Sequence, residues 1–382
     1  MNEQYSGENL MINIVHFIHG LNMGGAETLV KDYAVLLDKS KFHVTVLCYE
    51  RFDSPYEDIL RQNDIKVIYI CDKMPLYQKR GLVARGINHY QRYWLIRCEL
   101  KKLNPDIVHF HLSLSDYVRF SGLKKSVKLF YTQHFSAEVW KSENASDIQN
   151  LKWLMKHYQV QPIALNASMC DSMNKILQTD NTKILNNGVD LSEYSRQYDR
   201  DKKRMDLNIP QNAFLVVHVG RFNSVKNHEF LIDVFKQIKE QRAEAFLLMI
   251  GKGETERQVV EKIKAEGLDG SYKILHDRTD VAEILQASDA AVFPSIVEGL
   301  GIAVIEMQAA GLPCVVSTGV PDNACISNKL QFLSLELSAR EWARKLLEMC
   351  EDTTPIQYSG IEEWDIRHNV KQLEKMYEDA IK

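Results

Sequence analysis

The sequence predicts an α/β protein built from two doubly wound parallel sheets in tandem. Three observations carry this. Short apolar runs alternate with segments of helical period from Met11 to Ser317, the pattern of strands joined by crossover helices. The alternation breaks at Asn186-Asn187-Gly188-Val189-Asp190, which is turn chemistry, and at the charge-dense Arg196 to Met205; it restarts at Phe214. The stretch from Ala290 to Ser317 reads strand, loop, helix, strand, a complete unit of a parallel sheet. A chain of 382 residues is long enough for one or two domains with sizeable cores. The expected divisions are a polar tail over 1–10, a first domain over 11–188, a second over 189–363 and a last helix over 364–382. Met11 opens the first strand and is itself an alternative start.

In chain order, Met11 to Phe17 is strand-like and leads into the glycine-bearing loop His19 to Glu27, then a helix to about Leu37. Strands are expected at 42–48, 66–70, 106–111, 128–132, 162–165 and 183–185, with helices at 90–103 and 144–160. After the seam come strand 214–219, helix 227–239, strand 245–250, helix 254–265, strand 272–275 and helix 280–286. Ala290 to Phe293 is then a buried strand stopped at Pro294. Ile302 to Ala310 is helical and ends at Gly311, a C-terminal cap signal. Leu312 to Ser317 is the following strand. Val370, Leu373, Met376 and Tyr377 recur at helical spacing in the final segment.

Two carboxylates punctuate the 290–317 unit: Glu298 in the loop and Glu306 eight residues later in the helix. Gly299-Leu300-Gly301 lets backbone N–H groups approach a ligand closely. A helix N-terminus favours anions such as phosphate, and carboxylates accept hydrogen bonds from hydroxyls. Phosphate donors beside hydroxyl acceptors suit a nucleotide sugar; a capping acid and a surface Glu explain the same spacing more simply. Gly220-Arg221-Phe222 through Lys226 follows a strand and precedes a helix, where both cations can reach one pyrophosphate. A solvated basic loop is the alternative. Gly24 and Gly25 lie in the first loop. With Gly20 they do not form G-x-G-x-x-G, so a dinucleotide fingerprint is absent, and a plain turn is the simplest account.

These motifs carry a resemblance. EGLGIAVIE, continued by AAGLPCVVS, resembles the E-x7-E motif of the retaining glycosyltransferases of family 4, and VGRFNSVKNHEFLI resembles their donor-diphosphate motif. The resemblance implies the GT-B fold: two Rossmann-like domains facing a cleft, with a last helix that crosses back to the first domain. It implies that Glu298 contacts donor sugar hydroxyls, Glu306 the ribose, and Arg221 and Lys226 the leaving diphosphate. Gly24 and Gly25 then close on the phosphate, with Gly220, Gly299, Leu300 and Gly301 lining the donor. Thr132-Gln133-His134 matches the position of a cleft histidine near the reacting sugar. The implied activity is metal-independent transfer of a sugar from a nucleotide diphosphate sugar to a glycan or lipid-linked acceptor. That co-substrate is the only small molecule required, with no separate cofactor. Thr318-Gly319-Val320-Pro321-Asp322-Asn323 departs from the commoner glycine-pair pattern and is similar to the branch that builds bacterial capsular and exopolysaccharide units. A UDP-N-acetylglucosamine 2-epimerase-like enzyme and a non-catalytic nucleotide-sugar-binding protein share this architecture and remain alternatives.

Composition narrows the rest. With 45% apolar and 26% charged residues, wholesale disorder is excluded. A net charge of −4 argues against a general nucleic-acid binder. The seven scattered cysteines include no C-x-x-C pair, so neither a zinc site nor a dithiol is expected and a reducing, cytoplasmic compartment fits. No apolar run spans a membrane. His109 and His111 share a strand face at metal-like spacing, yet no third ligand is apparent and no metal is expected; His16 and His19 stay open. Asp199-Arg200-Asp201 is formally a D-x-D but reads as solvated linker. Residues 73–103 hold eight Lys or Arg against the single acid Glu99, with Tyr77, Tyr90, Tyr93 and Trp94 interleaved. Such a surface suits an anionic membrane face; a solvated helix with its aromatics turned inward is the other reading.

Overall fold

The computed structural model describes residues 11–77, 79, 81–134, 140–142 and 144–382. The tail over 1–10 and Arg80 of the basic segment lie outside them. The chain forms two compact units: residues up to Asn186 with Arg367–Lys382, and Asn187–Ile366.

In the first unit the strands are β1 (Ile12–Ile18), β2 (Phe42–Cys48), β3 (Lys66–Tyr69), β4 (Ile107–His111), β5 (Lys128–Thr132), β6 (Val160–Ala164) and β7 (Lys183–Ile184). They lie in the order β3-β2-β1-β4-β5-β6-β7, with every pairing among them parallel. The order reverses between β1 and β4, so the loops after those strands open at a switch point, where such sheets hold ligands. The register sets His16 of β1 opposite His109 of β4. The helix Gly25–Leu36 buries Leu29, Val30, Tyr33 and Ala34, the i, i+1, i+4, i+5 face its sequence offers. The final helix, Ile366–Ile381, buries Val370, Leu373 and Tyr377. It is tied to the first unit by Glu374, which accepts from the Asp38 N–H at 2.7 Å, and by Glu378, 2.9 Å from Lys41.

In the second unit β8 (Phe214–Val219), β9 (Ala245–Ile250), β10 (Tyr272–Leu275), β11 (Ala290–Phe293), β12 (Cys314–Ser317) and β13 (Leu330–Leu333) lie in the order β10-β9-β8-β11-β12-β13. Again the order reverses, between β8 and β11. Val216, Leu231, Phe235, Leu247, Val292, Val315, Trp342 and Leu346 share one core. The helix Ala339–Glu351, unmarked by the sequence reading, starts on a capping box between Ser338 and Glu341.

The D-x-D segment needs correction. Asp199 caps the short helix Arg200–Asp206, accepting from the Lys202 N–H at 2.9 Å. Arg204 of that helix is buried at 1% exposure. Its guanidinium donates to the carbonyls of Ala287, Gln211 and Ala213 and to Asp289 at 2.8 Å. A buried arginine with four hydrogen bonds pins this helix to the base of the sheet, so the segment is no linker, although Asp199 and Asp201 are exposed as expected. Its charge density had hidden that role.

Candidate active site

In the second unit the loops at the carboxyl ends of adjacent strands stack main chain on main chain. The Phe222 N–H donates to the Lys252 carbonyl at 3.0 Å, and the Thr255 N–H to the Phe222 carbonyl at 3.1 Å. Glycine makes this approach possible: a Cβ on Gly251, whose φ is +151°, would meet the Gly220 carbonyl oxygen at 2.0 Å, and one on Gly253 the Phe222 oxygen at 2.2 Å. On the other flank, the Ile296 N–H donates to the Val225 carbonyl at 2.7 Å and the Glu298 N–H to the Gly319 carbonyl at 2.9 Å. A Cβ on Gly319 would fall 2.1 Å from the Ile296 oxygen.

This stack brings Lys226 and Glu298 together, 72 residues apart in sequence, with Nζ 2.7 Å from Oε1. The same Glu298 oxygen accepts a short hydrogen bond from the Ser295 hydroxyl, and the ammonium lies 4.6 Å from the centre of the Phe293 ring. Arg221, on the loop that carries Lys226, is exposed, and its guanidinium makes no ion pair among the described residues. Gly301 enters the helix Ile302–Ala309 at φ +77°. A Cβ on Gly299 would meet nothing within 4 Å, so protein packing does not demand a glycine there. Glu306 faces Tyr194: burial and that carboxylate push the Tyr194 hydroxyl pKa well up. Gln308, two residues after Glu306 on the other side of the helix and fully buried, donates to the Ala324 carbonyl at 2.7 Å and accepts from the N–H groups of Ile326 and Ser327. It thereby locks the helix to the loop that follows the unusual Thr318–Asn323 stretch. Sequence reading missed Gln308, because a glutamine in an amphipathic helix carries no outward sign of burial.

In the first unit Gly24 precedes the helix Gly25–Leu36 in extended backbone, and a Cβ on Gly25 would meet open space. His19 is exposed and lies 3.3 Å from Glu50. His134, just past β5, is held from two sides. Its N–H donates to the Gln133 side chain at 2.7 Å, and Gln133 in turn donates to the Tyr131 hydroxyl at 3.0 Å. Its ring Nε2 lies 3.2 Å from His111 Nδ1. The buried Asp147 ends this network, accepting from Tyr131 at 3.2 Å, Trp140 at 3.1 Å and the Ser115 N–H at 3.0 Å.

The expectation that His109 and His111 have no third partner is overturned. Parallel pairing of β1 with β4 brings in His16, and ligand nitrogens of His16, His109 and His111 lie within 4.8 Å of one another. Both His109 nitrogens are already engaged, with the Tyr377 hydroxyl at 2.6 Å and the Thr132 hydroxyl at 2.7 Å. Burial draws all these imidazoles down, His16 and His134 to about 3 and His109 and His111 well below the usual value. They are neutral at physiological pH.

The basic helix Leu82–Leu103 divides its aromatics. Tyr93 turns in and donates to Asp116 at 2.5 Å. Val83, Ile87, Tyr90 and Trp94 form one outward stripe, with Tyr90 77% and Trp94 63% exposed. Lys73 pairs with Glu99 at 2.7 Å and Arg92 lies over the Tyr49 ring, so those two cations serve the fold. No helix among the described residues is long and apolar enough to cross a membrane.

Paired Rossmann-like units, with a lysine–carboxylate pair at one switch point and glycine-lined helix starts at both, define a GT-B glycosyltransferase. Residues 23–193 match the model of Glycosyltransferase Family 4, and residues 199–362 that of Glycosyl transferases group 1. The chain belongs to this glycosyltransferase family. It is 23% identical over 379 residues to the capsular polysaccharide biosynthesis glycosyltransferase CapH of Staphylococcus aureus, covering 96% of this chain and 99% of that one. It is 27% identical over 318 residues to the Escherichia coli UDP-Gal:alpha-D-GlcNAc-diphosphoundecaprenol alpha-1,3-galactosyltransferase, covering 79% and 78%. Among solved structures, HepE of Anabaena in complex with UDP-glucose superposes with a TM-score of 0.72 at 18% identity, covering 97% of both chains.

Proposed function

We propose that this glycosyltransferase takes a sugar from a UDP-sugar and passes it, with retention of anomeric configuration, to a glycan or lipid-linked saccharide in bacterial surface polysaccharide synthesis. The observation that carries the reading is the Lys226–Glu298 pair at 2.7 Å on the carboxyl edge of β8 and β11. It sets a cation for a diphosphate beside a carboxylate for sugar hydroxyls. Arg221 and Lys226 neutralise charge that grows on the departing diphosphate, a form of stabilisation that is often the largest catalytic contribution. Glu298 orients the sugar, Glu306 the ribose, and His134 hydrogen-bonds the sugar on its reacting side. The first unit, with Gly24 and Gly25, serves mainly the acceptor. Because protein cations hold the leaving group, the reading assigns no step to a metal ion, and transfer undiminished by a chelator is expected. The names of CapH and of the E. coli galactosyltransferase support a polysaccharide pathway and an undecaprenyl-linked acceptor.

Such an acceptor gives a reason to dock on the inner face of the membrane. The outward stripe Val83–Ile87–Tyr90–Trp94, on a helix whose only acid is the internally paired Glu99, fits a peripheral site on anionic lipid. The experiment is transfer from a panel of UDP-, GDP- and ADP-sugars to diphosphoundecaprenol-linked saccharides, with the product anomer read by NMR. A retained anomer from a UDP-sugar supports the reading. An inverted product overturns retention, and epimerised nucleotide sugar without acceptor would point to the epimerase alternative.

A further inference from the structure

We infer that His16, His111 and His134 form a hydrogen-bonded imidazole wire that fixes which ring nitrogen of His134 carries its proton, making His16 and His111 positioning residues for His134. Its functional consequence rests on the reading of His134 as a sugar-contacting group.

The geometry is a chain. His16 Nδ1 lies 3.2 Å from His111 Nε2, and His111 Nδ1 lies 3.2 Å from His134 Nε2. His16 and His111 are fully buried. A neutral imidazole has one N–H and one lone pair. His111 engages both nitrogens with other imidazoles, so it must donate to one neighbour and accept from the other. The three tautomers are therefore coupled: setting one sets all.

The inner end sets the direction. His16 Nε2 is buried and has no hydrogen-bond partner among the described residues. An unanswered N–H is the rarer orphan in native interiors, so the favoured polarity leaves a lone pair there. His16 then donates from Nδ1 to His111 Nε2, and His111 donates from Nδ1 to His134 Nε2. His134 is left with its proton on Nδ1, the less populated tautomer of a free neutral histidine, and offers an N–H donor at that atom.

The surroundings keep the wire neutral. His109 stacks on His111 with ring centres 4.3 Å apart, and its own nitrogens are held by Tyr377 and Thr132. Tyr33 and Tyr377 pack against His16. A metal ion on His16, His109 and His111 would take one nitrogen from each ring, and on His109 it would have to displace either the Tyr377 or the Thr132 hydrogen bond.

The test is long-range ¹H–¹⁵N NMR of the full-length protein labelled on histidine, with each ring assigned by single His→Gln variants. The expected result at pH 7.5 is an Nδ1–H pattern for His134, changing to Nε2–H in His111→Phe. With the UDP-sugar and acceptor of the proposed reaction, His111→Phe and His16→Leu should lower kcat by about 10- to 100-fold, the usual size for losing an outer partner that fixes a histidine's tautomer, while donor KM stays put. His16→Asn, whose amide N–H can stand in for Nδ1–H, should recover most of the loss. If His111→Phe does not fold, the wild-type spectrum and the His16 pair still decide. An Nε2–H pattern for His134 in the wild type, an unchanged tautomer in a folded His111→Phe, or stoichiometric zinc surviving dialysis would each overturn the wire. Full activity in His134→Ala with the tautomer as expected would leave the wire standing and remove the catalytic reading instead.

Discussion

The carboxyl edges of the two sheets carry opposite kinds of polar machinery. In the second unit the groups are charged: Lys226 pairs with Glu298, and Arg221 is exposed on the same loop. In the first unit they are buried imidazoles without charge, wired to one another and to tyrosine and threonine hydroxyls. Charge that is paired, as on the half-buried Lys226 and Glu298, or exposed, as on Arg221, is kept and is ready for a charged ligand. Imidazoles hidden from water lose their charge and retain only direction. One edge is suited to neutralise a diphosphate, the other to aim hydrogen bonds.

The largest expected effect breaks the neutral side with acid. His16, His109, His111 and His134 have native pKa values below the unfolded value near 6.5. Between those values the unfolded chain binds more protons, so stability is full above about pH 6.5 and falls as pH drops below it. Each histidine contributes at most about 1.4 kcal/mol per pH unit, or about 5 kcal/mol per pH unit for the four. The second unit has two comparable groups, His218, drawn well down, and His228, drawn to about 4, both by burial. Hydrogen exchange at pH 7.5 and 5 should show β4 losing more protection than β8; equal losses would erase the contrast. Next comes the charged side. Glu298→Ala and Arg221→Ala should each cut kcat by on the order of 10²–10³, measured with the active donor; the exposed Arg221 should leave the melting temperature unchanged, whereas Glu298→Ala strips Lys226 and Ser295 of a partner and should lower it. A smaller effect sharpens the neutral side: Tyr377→Phe leaves His109 Nδ1 without its 2.6 Å partner and should cost about 1–3 kcal/mol in urea unfolding. The smallest is Ser338→Ala, which removes the capping box of Ala339–Glu351. It should cost about 1 kcal/mol and leave transfer unchanged.

The same contrast governs what could be read from the sequence. The limits of β8, β9 and β10 are those expected, because each is a short apolar run bounded by polar or glycine residues. Lys226 and Glu298 were legible as a pair on neighbouring loops because each follows such a strand. The imidazole wire was not. His16 and His111 are 95 residues apart, and alternation along a strand tells which face a residue takes but not which strand lies next to it. Only the sheet order, with β1 beside β4, brings them together. Arg204 and Gln308 were missed for a related reason: a buried polar side chain is disclosed by its partners, and those are remote carbonyls, amides and one carboxylate that leave no local pattern.

The glycines at 220, 251, 253 and 319 bear on any attempt to redirect donor choice. A methyl group at 251, 253 or 319 would collide with a carbonyl oxygen of the adjoining loop, and one at 220 would crowd His218 and Lys226. Positions 251, 253 and 319 should tolerate almost no replacement in a saturation library, and 220 only the smallest, although their own atoms need never touch the sugar. Variation is better spent on the side chains of Ile296 and Val297, exposed immediately before Glu298, where new side chains can be tried without disturbing the scaffold beneath.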